Sequence, residues 1–134
     1  QPCSSAASDV YKRQALMFRI TKQFHFSASH QLCGMPEGHP CARLHGHNYI
    51  AEIELTSESL DQYGFVVDYH ELFPLKQYIE EQLDHRHLND VFGHDMVTSE
   101  WLAKTLYDWC KERWSQVSAV RVSETPKTWA EYRP

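Results

Sequence analysis

From Phe18 onward the chain alternates between apolar and polar side chains. Phe18, Ile20, Phe24, Phe26, Ala28 and His30 share one parity; Arg19, Thr21, Gln23, His25 and Ser27 share the other. A period of two predicts a strand with one buried face, because successive side chains of an extended backbone point to opposite sides. Lys22 interrupts the apolar parity, so part of that face is expected to be wet. Gly34, Pro36, Gly38 and Pro40 mark a loop. A second alternating run extends from His45 to about Thr56, with His45, His47, Tyr49, Ala51, Ile53 and Leu55 on one face and Asn48, Glu52 and Glu54 on the other.

The pattern then changes period. Asp68 followed by Glu71 has the form of a helix N-terminal cap, and Leu72, Leu75, Ile79 and Leu83 recur at helical spacing. Pro74 predicts an irregular first turn. A second helix is expected to open at Thr98 or Ser99 with Glu100 in its first turn, where the positive end of the helix dipole favours an acid. Its apolar stripe reads Trp101, Leu102, Leu106, Trp109, Cys110 and Trp114. Short strands are expected over 119–123 and 128–132, separated by the turn at Thr125-Pro126. The order is strand, strand, helix, helix, strand, strand, which places the chain in the α+β class.

Both strands carry histidine where the apolar face runs out: His30 at the end of the first, His45 and His47 at the start of the second. If the strands pair as a long antiparallel hairpin, those ends meet and three imidazoles converge at one edge of the core. Neutral imidazole is a common zinc ligand, and three of them leave a fourth position open, the arrangement of a catalytic rather than a closed structural site. Cys41, four residues before His45, stands in the loop leading to this point. It reads as a thiolate base activated by a nearby cation, as a buried small hydrophobe, or as a fourth metal ligand; spacing leaves all three open.

Three further groups carry candidate chemistry. Asp84 next to His85 could fix an imidazole tautomer, but adjacent residues on a helix do not face each other, so the pair needs a helix end or a turn. Asn89 and Asp90 are consistent with a turn there. Glu124 ends a short apolar strand; its carboxylate could accept two parallel N–H bonds, or it is an exposed strand-end acid. Thr98, Ser99 and Glu100 are most simply a helix cap. The sequence leaves open whether His39 or His87 assists, and Cys33 and Cys110 read as incidental.

The bulk properties narrow the function classes. The 134 residues suit one domain, with 42% hydrophobic and 23% charged residues, ordinary for a globular protein. A formal charge of −5 offers no basic field for nucleic acid or an anionic membrane. No apolar run approaches the roughly 20 residues that span a bilayer, and no signal peptide is evident. The four cysteines lack paired spacing, which reads as reduced thiols in the cytoplasm. Residues 1–16 are small, polar and aperiodic. They are expected to be a disordered, non-native tail, with Met17 as the natural start, a single domain over 17–134, and no role for Cys3.

Several segments together resemble a known family. Phe-Ser-Ala-Ser-His ending at His30, Cys41-x-x-x-His45-Gly-His47, Val67-Asp68, Leu83-Asp84-His85-x-x-Leu-Asn89, Thr98-Ser99-Glu100 and Ser-Glu124-Thr occur in the order of the 6-pyruvoyltetrahydropterin synthase family. The three-residue gap between Cys41 and His45 is similar to the bacterial carboxy branch. Val97 departs from the proline expected before Thr-Ser-Glu.

The resemblance implies a tunnelling fold, in which two helices pack on one face of a four-stranded antiparallel sheet. It also implies a homohexamer built as a dimer of trimers, with active sites at subunit interfaces. His30, His45 and His47 would hold Zn2+, and Cys41 would abstract a proton. Asp84 and His85 would complete a catalytic relay. Glu124 would anchor the pterin, with Thr98, Ser99 and Glu100 lining its pocket. The implied reaction is a zinc-dependent lyase conversion of 7,8-dihydroneopterin triphosphate to 6-carboxytetrahydropterin, acetaldehyde and triphosphate, feeding 7-deazaguanine and queuosine synthesis. Two alternatives stay open: a pyruvoyl-type synthase that only eliminates triphosphate, and a non-catalytic zinc-stabilised binding module.

Overall fold

The computed structural model describes residues 17–134; the expectations for the tail at 1–16 and for Cys3 lie outside the described residues. Two long strands, β1 (Phe18–His30) and β2 (His45–Ser57), form the hairpin that the alternation predicts. They pair antiparallel over their whole length, from Phe18↔Ser57 to His30↔His45. The even-numbered residues of β1 from Phe24 to His30 are buried, and Lys22 is half-buried with its ammonium 5.6 Å from the Phe24 ring centre. That contact explains how a lysine occupies the apolar parity: its stem and charge lie along an aromatic face.

The sheet departs from expectation in having five strands, in the order β3-β1-β2-β4-β5. The added β3 (Arg86–His87) pairs parallel to β1 at Ala28↔Arg86 and Ser29↔His87, so the sheet is not purely antiparallel. It forms because the helical segment ends abruptly at Leu83, and the chain then turns back onto the open edge of β1. β4 (Val117–Thr125) and β5 (Thr128–Tyr132) complete the other side; β4 is longer than the sequence pattern predicts.

The first helical segment is broken as Pro74 foretells. A 3-10 turn at Tyr69–Leu72 precedes α1 (Phe73–Tyr78), where Pro74 stands in the first turn and needs no N–H partner; a π-helical turn follows over Ile79–Leu83. The Asp68 carboxylate caps the 3-10 turn by accepting from the His70 N–H at 2.9 Å. A short helix absent from the predicted order, α2 (Leu88–Phe92), ends on Gly93 in the left-handed region.

α3 (Ser99–Lys111) is capped by Thr98, whose hydroxyl accepts from the Trp101 N–H at 3.1 Å. Its buried stripe is Leu102, Ala103, Leu106, Tyr107 and Cys110. Trp101 and Trp109 flank that stripe instead of occupying it, and Trp114 lies beyond the helix end. Their large rings find aromatic partners at the rim, Trp101 against His94 and Trp109 against Tyr78.

The helices and one face of the sheet enclose a single apolar core that includes Phe26, Ile53, Leu72, Ile79, Leu102 and Val122. On the opposite face Glu52 and Glu54 are buried although their parity marks them as polar. Arg121 pairs with Glu52, while Arg133, Arg19 and the Ser118 hydroxyl surround Glu54. Burial of carboxylates is tolerated there because each is matched by guanidinium or hydroxyl donors.

Candidate metal centre and active site

Hairpin register decides the centre. His30 and His45 are the terminal pair of the β1–β2 ladder, and His47 stands opposite Ala28. His45 and His47, two residues apart, project from the same face as the buried parity of β1. The ring centres of the three imidazoles are consequently 4.5, 5.0 and 4.9 Å apart. One ring nitrogen from each lies within 4.8 Å of the others.

The surroundings orient these rings for ligation. His30 Nδ1–H donates to the Val97 carbonyl at 2.7 Å, and His45 Nδ1–H donates to the Arg43 carbonyl at 2.7 Å. A carbonyl can only accept, so both protons are fixed on Nδ1, and each Nε2 keeps its lone pair. Those two Nε2 atoms face each other at 2.9 Å. Two lone pairs at that separation repel unless a positive charge lies between them. His47 Nε2 is buried without a hydrogen-bond partner among the described residues. A buried, unsatisfied imidazole nitrogen beside two opposed lone pairs is the donor set that a divalent cation such as zinc satisfies. Desolvation holds His30 and His47 below the usual histidine pKa, partly offset at His30 by its bond to Val97 and at both rings by Glu124; the neutral, ligating form is favoured.

A cavity of about 290 Å³ opens on this cluster. Its walls bring together His30, His45, Cys41, Glu124 and the Thr98–Glu100 segment. Cys41 lies in a 3-10 turn (Pro40–Ala42), its N–H bonded to His39 Nδ1 and its carbonyl to the Leu32 N–H at 2.9 Å. It is half-buried on the wall and is not one of the ligand atoms in the three-ring cluster. The Glu124 carboxylate stands 3.6 Å from His47 Nε2 and 3.9 Å from His30 Nε2. Thr98 serves both as helix cap and as cavity wall, and Ser99, the first residue of the helix, lines the same wall.

Asp84 and His85 do pair, at 3.0 Å between Oδ2 and Nδ1. Asp84 leaves the π-helical turn with extended backbone, and His85 adopts φ 60°, the one positive φ outside glycine among the described residues. Such a conformation costs roughly 1 kcal/mol or more and persists only when its neighbours impose it. The pair does not meet Cys41 within one chain: His85 lines a separate cleft of about 500 Å³ that shares His47 with the cluster.

Some participants escape a reading of the sequence by parity. The Val97 carbonyl, 67 residues from His30, sets that ring's tautomer. Asn89 accepts from the Gln31 N–H at 2.8 Å and donates to the Gln31 and His94 carbonyls, tying the end of β1 to the loop that carries Val97. The family motif and the turn expected at Asn89 and Asp90 are the signals for it. Trp129 forms part of the cavity wall, and nothing in the alternation of the last strand distinguishes it. Tyr49 lies under the cluster, 5.4 Å from the His47 ring, its hydroxyl buried and unpartnered. Desolvation, and to a smaller extent the Glu124 charge, raise its pKa.

Comparison with known proteins agrees with this geometry. Residues 19–134 match the family model described as 6-pyruvoyl tetrahydropterin synthase. The chain belongs to this family. It is 34% identical over 129 residues to the 6-carboxy-5,6,7,8-tetrahydropterin synthase of Bacillus subtilis (strain 168), covering 87% of this chain and 86% of that protein. The enzyme of the same name from Synechocystis sp. is 34% identical over 122 residues, covering 87% and 93%. Among solved structures, the Caenorhabditis elegans 6-pyruvoyl tetrahydropterin synthase superposes with a TM-score of 0.77 at 25% identity, covering 88% of this chain and 96% of that one. An uncharacterized Wolinella succinogenes protein shares the fold at a TM-score of 0.78 and 22% identity. No helix of the described residues is long and apolar enough to cross a membrane.

Proposed function

We propose that this protein is a zinc-dependent lyase that converts 7,8-dihydroneopterin triphosphate to 6-carboxytetrahydropterin, with release of acetaldehyde and triphosphate. The observation that carries this reading is the cluster of His30, His45 and His47, whose first two members line a cavity together with Cys41 and Glu124. It occurs in a chain similar over most of its length to relatives named 6-carboxy-5,6,7,8-tetrahydropterin synthase.

Bound at the three histidines, zinc supplies Lewis acidity to the oxygens of the substrate side chain. The Glu124 carboxylate accepts the N–H pair of the pterin edge, with Thr98, Ser99 and Glu100 closing the pocket around the ring. The Cys41 thiolate removes a carbon-bound proton of the side chain, and His85, held by Asp84, exchanges protons on the opposite flank of the histidines. The neutral reduced ring needs no basic groove, in keeping with the net charge of −5.

The separation of Cys41 from Asp84–His85 supports a site completed where two copies of the chain meet. Among the described residues, β1 is covered by β3 only at Ala28 and Ser29, and β5 has one partner, so both sides of the sheet offer unpaired backbone. Closure of trimers into a barrel, two of which stack into a hexamer, removes those edges. The setting we propose is a cytoplasmic step of 7-deazaguanine and queuosine synthesis.

The likeness to the Caenorhabditis elegans enzyme favours a second reading, elimination of triphosphate without side-chain cleavage. Product analysis separates the two: acetaldehyde formed with triphosphate supports the carboxy reading, and triphosphate alone refutes it. Cys41→Ala is expected to retain zinc and lose turnover. Loss of zinc in that variant removes the proposed role of Cys41 as a base.

A further inference from the structure

The cleft that His85 lines holds a second arrangement of groups. Its walls include Ser27, Ser29, Asn48, Arg86 and His87, and no Asp or Glu is among them. Of the arginines among the described residues, Arg19, Arg113, Arg121 and Arg133 each lie within 4 Å of a carboxylate; Arg43 and Arg86 have no such partner. Arg86 is held in place by its Nε, which donates to the Glu81 carbonyl at 3.1 Å and leaves both Nη groups for a ligand. The parallel pairing of β3 with β1 fixes its backbone next to Ala28.

The neighbouring polar groups are set in the same sense. The Ser27 hydroxyl donates to Asn48 Oδ1 at 2.7 Å, so the Asn48 amide N–H pair is left to the cleft. The Ser29 hydroxyl and His87 Nδ1 are 3.0 Å apart, which orients the His87 ring. The nearest acid, Asp84, is already engaged by the Ser27 N–H and by His85. A guanidinium without a carboxylate, flanked by amide and imidazole donors in a cleft free of acids, suits a phosphate group.

We propose that this cleft is the anion subsite for the triphosphate of the substrate, with Arg86 as its principal cation. The assignment rests on the pterin reading given above. In that reading His85 acts beside the substrate side chain, and His85 and Arg86 line the same cleft.

The test compares two oxidised analogues, neopterin triphosphate and neopterin, for binding to the zinc-loaded protein by equilibrium dialysis. The wild type is expected to hold the triphosphate form more tightly. Arg86→Ala is expected to weaken that form by roughly tenfold or more, as loss of a charge-assisted contact implies, and to leave neopterin unchanged. Arg86→Lys should restore part of the difference, and Arg43→Ala should keep it. A triphosphate preference undiminished in Arg86→Ala, or lost in Arg43→Ala instead, overturns the assignment. If neither pterin binds the wild type, the pterin reading itself fails, and inorganic triphosphate alone decides the cleft. Binding lost in Arg86→Ala then keeps the anion subsite, and equal binding in both proteins overturns it.

Discussion

The Asp84 carboxylate accepts the backbone N–H of Ser27 at 2.9 Å, while the Ser27 carbonyl accepts the N–H of His85 at 2.6 Å. One residue of β1 therefore grips both members of the Asp84–His85 pair and holds His85 at its unusual backbone angle. The hydrogen bond from Ser27 is also the main reason that the Asp84 carboxyl sits below the usual aspartate pKa.

That linkage has a sign. The unfolded chain takes up a proton near pH 3.8, before the folded one does, so the Asp84 contribution is present above this value and is lost as pH falls through the lower folded pKa. Asp84→Ala should destabilise the domain by about 1 kcal/mol, the modest figure reflecting partial exposure of the carboxylate. The loss should be visible in urea titration at pH 7 and should shrink at a pH below 3.8. An equal difference at both values would separate Asp84 from the acid response.

His85→Gly probes the strained angle. Glycine adopts φ 60° without penalty, so this variant should be as stable as the wild type or up to about 1 kcal/mol more stable. Under the proposed mechanism it should lose most of its turnover. A clear drop in melting temperature would show that the imidazole contacts outweigh the backbone strain.

The histidine centre predicts opposite responses to metal and to acid. Zinc should raise the melting temperature, because a ligand that binds only the folded state stabilises it. In the metal-free protein, burial keeps His30 and His47 neutral below pH 6.5, whereas the unfolded chain protonates there. Stability should therefore be full above pH 6.5 and fall as pH drops below it. His30→Asn should flatten that slope and abolish zinc retention, measured by metal analysis after dialysis.

Glu124→Ala should raise KM strongly with zinc content intact. The carboxylate lies close to the histidines yet is assigned to the ring and not to the cation, so metal loss in this variant would reassign it as a ligand. An unchanged KM would remove it from the pterin pocket.

Glu54 is 2% exposed, between Arg133, Arg19 and Ser118. Its removal leaves two guanidinium groups that can still reach water, so Glu54→Ala should cost about 1–2 kcal/mol rather than the larger penalty of an orphaned buried charge. The hydrogen bond from Arg133 is the first cause of its lowered pKa, so its contribution fades as pH falls below 4.5. Denaturant midpoints for Glu54→Ala and Glu54→Gln, taken at pH 7 and again below pH 4.5, check both statements.

The sequence by itself determined the β1–β2 hairpin, the cap at Thr98 and the convergence of His30, His45 and His47. The hairpin and the histidines follow from a local period, since side chains two apart on a strand share a face wherever the strand goes; the cap follows from a hydroxyl residue placed just ahead of a helical stripe. The tertiary structure alone decided the rest. It recruited the Val97 carbonyl to orient His30, laid Arg86–His87 on the edge of β1 as a fifth strand, buried Glu52 and Glu54 under arginines from other strands, and set Cys41 and His85 on opposite flanks of the centre. Those outcomes depend on hydrogen bonds and ion pairs between segments tens of residues apart, whose geometry is fixed only when the core has closed and the loops have found their anchors. A periodic pattern records which way a side chain points, but not which distant group it will meet.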